Sequence, residues 1–264
     1  MLKSNLLRVM RLAPLAIALS VPAVASTIVG NLALSTTGTQ VIAVNGSVID
    51  FNFTGAVTPG FPPTSSAPLT VNTAGQFDIG SASTGSFASV IGTQINVQDL
   101  SAAQQPTGSL VGPGLPYNNF ITFAAQPTWS FTLTQVLPGV FSSASCTGVA
   151  APGQTCTPAG SPFNLSNLAG NQVNVNFAFL GIANDGLGNL SSISGTFGTT
   201  FSNTSLEAIY AAILAGNAVV TTASGTIAAV ATPIPEPGTS LLLGFSLIGL
   251  AAITRSARAR RRRE

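Results

Sequence analysis

Cys146 and Cys156 are the only cysteines in the chain, with nine residues between them inside a Pro/Gly/Ser-rich stretch, 142–162. Two thiols so placed can close a loop as a disulfide. With an activating base they can instead form a redox or nucleophilic centre. The second chemistry lacks its parts: the chain has no His, and the spacing is not CxxC. A disulfide in an oxidising compartment is therefore the expectation. The acids of the body are Asp50, Asp78, Asp99, Asp185 and Glu207. A glycosidase needs two carboxylates across a cleft, but no spacing here pairs any two of them. Asn184-Asp185-Gly186-Leu187-Gly188-Asn189 superficially suggests a calcium loop. It lacks the acidic density and distal Glu of an EF-hand, so an Asn-Asp-Gly turn between strands explains it better. No catalytic residue, metal ligand or cofactor is expected, and the chain reads as a non-enzyme.

Charge is distributed unevenly. All nine Lys and Arg lie in the first 11 or last 10 positions. The net charge is +3 over 1–25, −6 over 26–237 and +5 over 238–264, which gives +2 overall. A body without a cation cannot neutralise phosphates, so nucleic acid is excluded as a partner. It also has no lysine for a Schiff base. Sparse charge with abundant Ser, Thr, Asn and Gly suits an extracellular β-rich protein. Acceptor patterns for N-glycosylation occur at Asn52, Asn164, Asn189 and Asn203, as chance alone produces in a chain of this composition.

The two ends have separate logic. Lys3, Arg8 and Arg11 precede an apolar run over 12–24, and Ala23-Val24-Ala25 forms a small-x-small cleavage site. Residues 1–25 thus read as a signal peptide, cut by signal peptidase so that the mature chain starts at Ser26. At the other end, Pro235-Glu236-Pro237 is followed by 17 uncharged residues, 238–254, and then Arg255, Arg258, Arg260, Arg261, Arg262 and Arg263. As a helix those 17 residues reach about 25 Å, slightly short of a hydrocarbon core. The arginines would hold that end in the cytoplasm and leave the body outside the inner membrane.

This tail resembles the PEP-CTERM sorting signal of Gram-negative bacteria, carried by Pro235-Glu236-Pro237, the apolar helix over 239–253 and the arginine cluster. Ile234 stands where the commonest form has Val. The resemblance implies recognition by an exosortase, a membrane-embedded cysteine transpeptidase-like enzyme. It would cut near the motif and release the body from transient residence in the inner membrane to the envelope surface or beyond. The body also resembles one group of these proteins. The matching elements are Ser83-Thr84-Gly85-Ser86-Phe87, Val97-Gln98-Asp99-Leu100-Ser101, Phe131-Thr132-Leu133 and Ser194-Gly195-Thr196-Phe197. In that family sorting accompanies exopolysaccharide production, which implies exopolysaccharide or biofilm matrix as the partner.

The three segments are therefore 1–25, a β-rich extracytoplasmic body at 26–231, and the sorting tail at 232–264. In the body, short alternating runs predict strands at 28–34, 39–44, 48–53, 76–79, 85–90, 94–98, 119–123, 129–136, 172–180, 193–201 and 218–230. Trp129, Phe131, Leu133 and Gln135 would share one face, as would Val173, Val175, Phe177 and Phe179. Pro/Gly/Ser-rich loops are expected at 59–68 and 106–116. Many short strands between turns suggest an antiparallel β-sandwich or jelly roll. One helix is expected after Thr204-Ser-Leu-Glu207, a capping box with Thr204 as N-cap. Leu206, Ile209, Tyr210, Ile213 and Leu214 would form its apolar face, and Gly216 would end it.

The leading functional expectation is an exported, non-enzymatic surface or matrix protein. A carbohydrate-binding module is the alternative. It would need an exposed aromatic, whereas Trp129 and Tyr210 are expected on buried faces. A hydrolase is the third reading.

Overall fold

The computed structural model describes residues 27–232, apart from 47, 72, 105–111, 113 and 148–150. The chain divides into two units after Ala231. The signal helix, Ala23 and Ala25, the sorting motif, the transmembrane helix and the arginine cluster lie outside the described residues. Among the described residues no helix is long and apolar enough to cross a membrane.

The elements in chain order are β1 (Gly30–Thr36), β2 (Val41–Val44), β3 (Ile49–Phe53), β4 (Thr64–Ser65), β5 (Gly75–Ile79), β6 (Gln94–Val97), β7 (Tyr117–Phe123), β8 (Ser130–Val136), β9 (Thr155–Cys156), β10 (Asn164–Leu168), β11 (Gln172–Asn184), β12 (Leu190–Ser202), α1 (Leu206–Leu214), β13 (Ala218–Thr221) and β14 (Ser224–Ala231). The body is mainly β with one α-helix, as expected, but the sandwich is corrected to a closed antiparallel barrel of 8 strands. Its order is β1-β5-β6-β7-β8-β11-β12-β14, and β14 pairs back onto β1, Gly30 opposite Ala229. The 13-residue strands β11 and β12 form the long hairpin that closes it. Inward and outward residues alternate alike in sandwiches and barrels, so the pattern could not separate them. Closure removes the free edges an open sheet would expose.

An eight-stranded barrel is just wide enough to be filled by side chains, and here aromatic rings fill it. Phe197 packs against Phe51, Phe77, Phe177 and Phe179 with ring centres 5.4–5.8 Å apart, and Phe120 meets Phe179 at 5.6 Å. A second group, Phe87, Phe123 and Phe131, packs at 5.1–6.3 Å. The alternation in β11 puts Val173, Phe177 and Phe179 in the core, as the sequence implies. In β8 the bulge opposite Leu180 and Gly181 turns Val136 inward in place of Gln135.

A smaller sheet, β3-β2-β13-β4, packs against the barrel core. Ile42, Ile49, Phe51 and Val219 join the main core, while Ala43, Phe53, Ala218 and Val220 form a second cluster under Ala67 and Leu69.

Three expected elements are corrected. Residues 85–90 form a 3-10 helix, because Gly85 takes φ +64° and the buried pair Phe87 and Val90 is spaced by three. The single run 218–230 is two strands in different sheets, turning at Thr222-Ala223. The N-cap of α1 is Ser205, whose hydroxyl accepts the Ala208 N–H at 3.2 Å. The Thr204 hydroxyl instead donates to the Ser202 carbonyl at 3.2 Å, so no capping box forms. Leu206 and Ile209 are buried, and Tyr210 and Ile213 pack on the core, but Leu214 is 67% exposed. Gly216, at φ +79°, lies just past the helix end. Strands β4, β9 and β10 lie outside the alternating runs of the sequence. Their segments are too short or too polar to show period two.

Candidate functional site

Because the barrel strands alternate in direction, the β7–β8 and β11–β12 turns, the segment before β1 and the 3-10 helix after β5 gather at one end. There Thr27, Ile28, Ser86, Gln126, Thr128, Trp129, Asp185 and Leu187 enclose a cleft of about 250 Å³. Strand β8 begins at Ser130, so Trp129 stands outside the alternation and is half-buried, not enclosed in the core. It meets Phe123 and Phe87 edge-on, at 5.5 and 6.1 Å, and lines the cleft. The indole N–H has no protein acceptor among the described residues.

Asp185 forms the other wall and is 6% exposed. Its Oδ1 accepts the Leu187 N–H at 2.7 Å and the Asn189 N–H at 3.1 Å, and its Oδ2 accepts Asn189 Nδ2 at 2.6 Å. Burial acts to raise its pKa, but the bonds from Asn189 and Leu187 outweigh it and hold the carboxyl below its usual value. Asn184 Oδ1 accepts the Gly186 N–H at 2.8 Å. The Asn-Asp-Gly segment is thus a side-chain-bonded turn, as expected. The two turns touch where a Cβ on Gly186 would lie 2.6 Å from Thr128 Cβ.

Two acids meet elsewhere, and no spacing in the sequence pairs them. Asp50 and Asp99 are 1% and 3% exposed. Asp99 Oδ1 accepts the Phe51 N–H at 2.7 Å and Oδ2 the Thr73 N–H at 3.2 Å. Asp50 Oδ1 accepts the Asn52 N–H at 3.0 Å and Oδ2 the Thr70 N–H at 3.4 Å. Burial pushes the Asp99 carboxyl up to about 6, with the Asp50 charge adding to the rise, and burial also raises Asp50. All four oxygens face backbone amides, so this pair ties β3 to the 70–73 segment. Asp78 accepts from Gln94 Nε2 at 3.1 Å on the neighbouring strand.

Cys146 and Cys156 form the expected disulfide, Cα–Cα 5.2 Å, with both residues buried. It links the 3-10 turn Ser143–Cys146 to β9. The apolar gap between α1, β2, β13 and strands β10–β12 amounts to about 40 Å³. Its lining is mostly apolar, the Thr199 and Thr221 hydroxyls bond each other at 2.9 Å, and that volume is too small for a ligand.

The short body motifs now have structural roles. The hydroxyls of Ser83, Thr84 and Ser86 accept the N–H groups of Ala33, Asn31 and Val29 at 3.0–3.1 Å. They seal the edge of β1 where β5 has ended. Leu100 bridges to Ile49. Gly195 makes room for Phe179, whose ring would lie 2.4 Å from a Cβ there. No protein-family model, curated protein or solved structure matches this chain.

Proposed function

We propose that this chain is an exported, non-enzymatic surface or matrix protein, sorted through its C-terminal tail. A signal peptidase removes 1–25, and an exosortase cuts near Pro235-Glu236-Pro237 after the helix and arginines have held the chain in the inner membrane. The observation that carries the reading is the charge partition: every Lys and Arg belongs to an end, and none to the body. The bridged Cys146–Cys156 pair agrees with passage through an oxidising compartment. A nearly uncharged hydroxyl- and amide-rich surface suits association with exopolysaccharide. Fractionation of cells carrying Pro235→Ala/Pro237→Ala tests the sorting step. The variant body is expected to stay with the inner membrane, and unchanged release would refute the proposal.

A carbohydrate-binding module is the second reading. It is favoured by one observation, that Trp129 borders a cleft and is not enclosed in the core. The hydrolase reading loses ground, because the Asp50–Asp99 pair spends its oxygens on backbone amides.

A further inference from the structure

The cleft at the barrel end combines three features. Trp129 is its only aromatic surface among the described residues. Around it stand polar groups without a hydrogen-bond partner among the described residues: the indole N–H, the Thr128 hydroxyl and the Gln126 side-chain amide. The third feature is the Asp185 carboxylate in the lining, held ionised by its turn. The turn bonds it through the Leu187 and Asn189 N–H groups and Asn189 Nδ2, and the Asp185 backbone N–H adds to the hold.

These features select a ligand class. A ligand with one apolar face and several hydroxyls would match an aromatic wall bordered by donors and acceptors. The volume limits its size: about 250 Å³ falls below the roughly 300–1,000 Å³ of pockets for drug-sized ligands. One ring fits, and a chain would have to project outward. Charge then narrows the class further. No cation lies anywhere in 26–237, so an anionic sugar would face Asp185 with nothing to neutralise it.

We propose that the Trp129–Asp185 cleft binds a single neutral pyranoside ring, its C–H face on the indole and its hydroxyls on Gln126, Thr128 and the Asp185 carboxylate. This deepens the carbohydrate-binding reading and rests on it, but it does not depend on how the tail is processed.

The chain carries one tryptophan, so its fluorescence reports this cleft alone. The full chain, held in a detergent without sugar groups, would be titrated with methyl α-D-glucopyranoside, methyl β-D-galactopyranoside and glucuronate. A saturable change with at least one neutral glycoside, and none with glucuronate, is expected. Gln126→Ala and Thr128→Val each remove one hydrogen bond from exposed or half-exposed turn positions, and each should weaken binding about fivefold. Their circular dichroism and melting should match the parent. Absence of a saturable change with either neutral glycoside overturns the proposal. So does equal binding of glucuronate, or undiminished binding by both variants. A null titration alongside normal tail cleavage would sink the cleft and leave the export proposal standing.

Discussion

Gly30 and Gly85 sit back to back where β1 begins. A Cβ on Gly30 would lie 2.2 Å from the Thr84 carbonyl oxygen, and one on Gly85 would lie 2.3 Å from that of Val29. Both have positive φ, +124° and +64°. Two N–H···O bonds, Thr84 to Asn31 and Ser86 to Val29, at 2.8 and 2.7 Å, lock the backbones at this distance. The seam holds the start of the barrel against the 3-10 helix that carries Phe87.

Gly30→Ala and Gly85→Ala should therefore each cost several kcal/mol, through backbone strain and a clash that no side chain can relieve. Gly92 also has positive φ, +78°, but a Cβ there would meet nothing within 4 Å. Gly92→Ala should cost only about 1–2 kcal/mol. Urea unfolding of the three variants checks the contrast, and similar losses for all three would contradict it.

Asp99 gives stability an unusual dependence on pH. Its folded pKa is raised from 3.8 to about 6. Between these values the folded state holds a proton that the unfolded state has released, so stability falls as pH rises from about 4 to about 6. Asp50 is raised and acts in the same direction. Asp185 is lowered, so its contribution is lost only below the ordinary carboxylate range. Denaturation midpoints should be higher at pH 4.5 than at pH 7, and Asp99→Asn should flatten the slope. Midpoints that rise across this interval would contradict the assignment.

The helix cap separates two otherwise similar residues. Ser205→Ala should cost about 1 kcal/mol, because the Ala208 N–H loses the hydroxyl and keeps only the Ser205 carbonyl at 3.1 Å. Glu207→Gln should stay within about 0.5 kcal/mol, since no capping box forms. The opposite ranking would restore the box over Thr204 and Glu207.

Much of this was legible in the sequence, and the gaps have physical reasons. The β11 alternation of Val173, Phe177 and Phe179 predicted a buried face, and the i, i+3 set of α1 predicted a helix ended by Gly216. Barrel closure was not legible, because alternation sets which face is buried and not which strand is the neighbour. The Asp50–Asp99 pair was hidden by the 48 residues between them. Trp129 packs on the core as the alternation predicts but is only half-buried, because it precedes the start of β8 at Ser130. The cysteine pairing was legible because no base or second motif offered those thiols any other chemistry.

Replacing both cysteines, Cys146→Ser/Cys156→Ser, should cost about 2–3 kcal/mol, the loop-closure entropy of a short loop. The barrel should still fold, because its closing hairpin β11–β12 does not include either residue. Circular dichroism with thermal melting tests this, and loss of all β signal would show that the bridge is needed for folding.

The most direct test of the central claim is the intact mass of the body recovered from outside the inner membrane. The account predicts a chain that begins at Ser26, ends close to Pro235-Glu236-Pro237 and contains no Lys, Arg or His. Recovery there of the full 26.5 kDa chain, with its arginine cluster still attached, would contradict it.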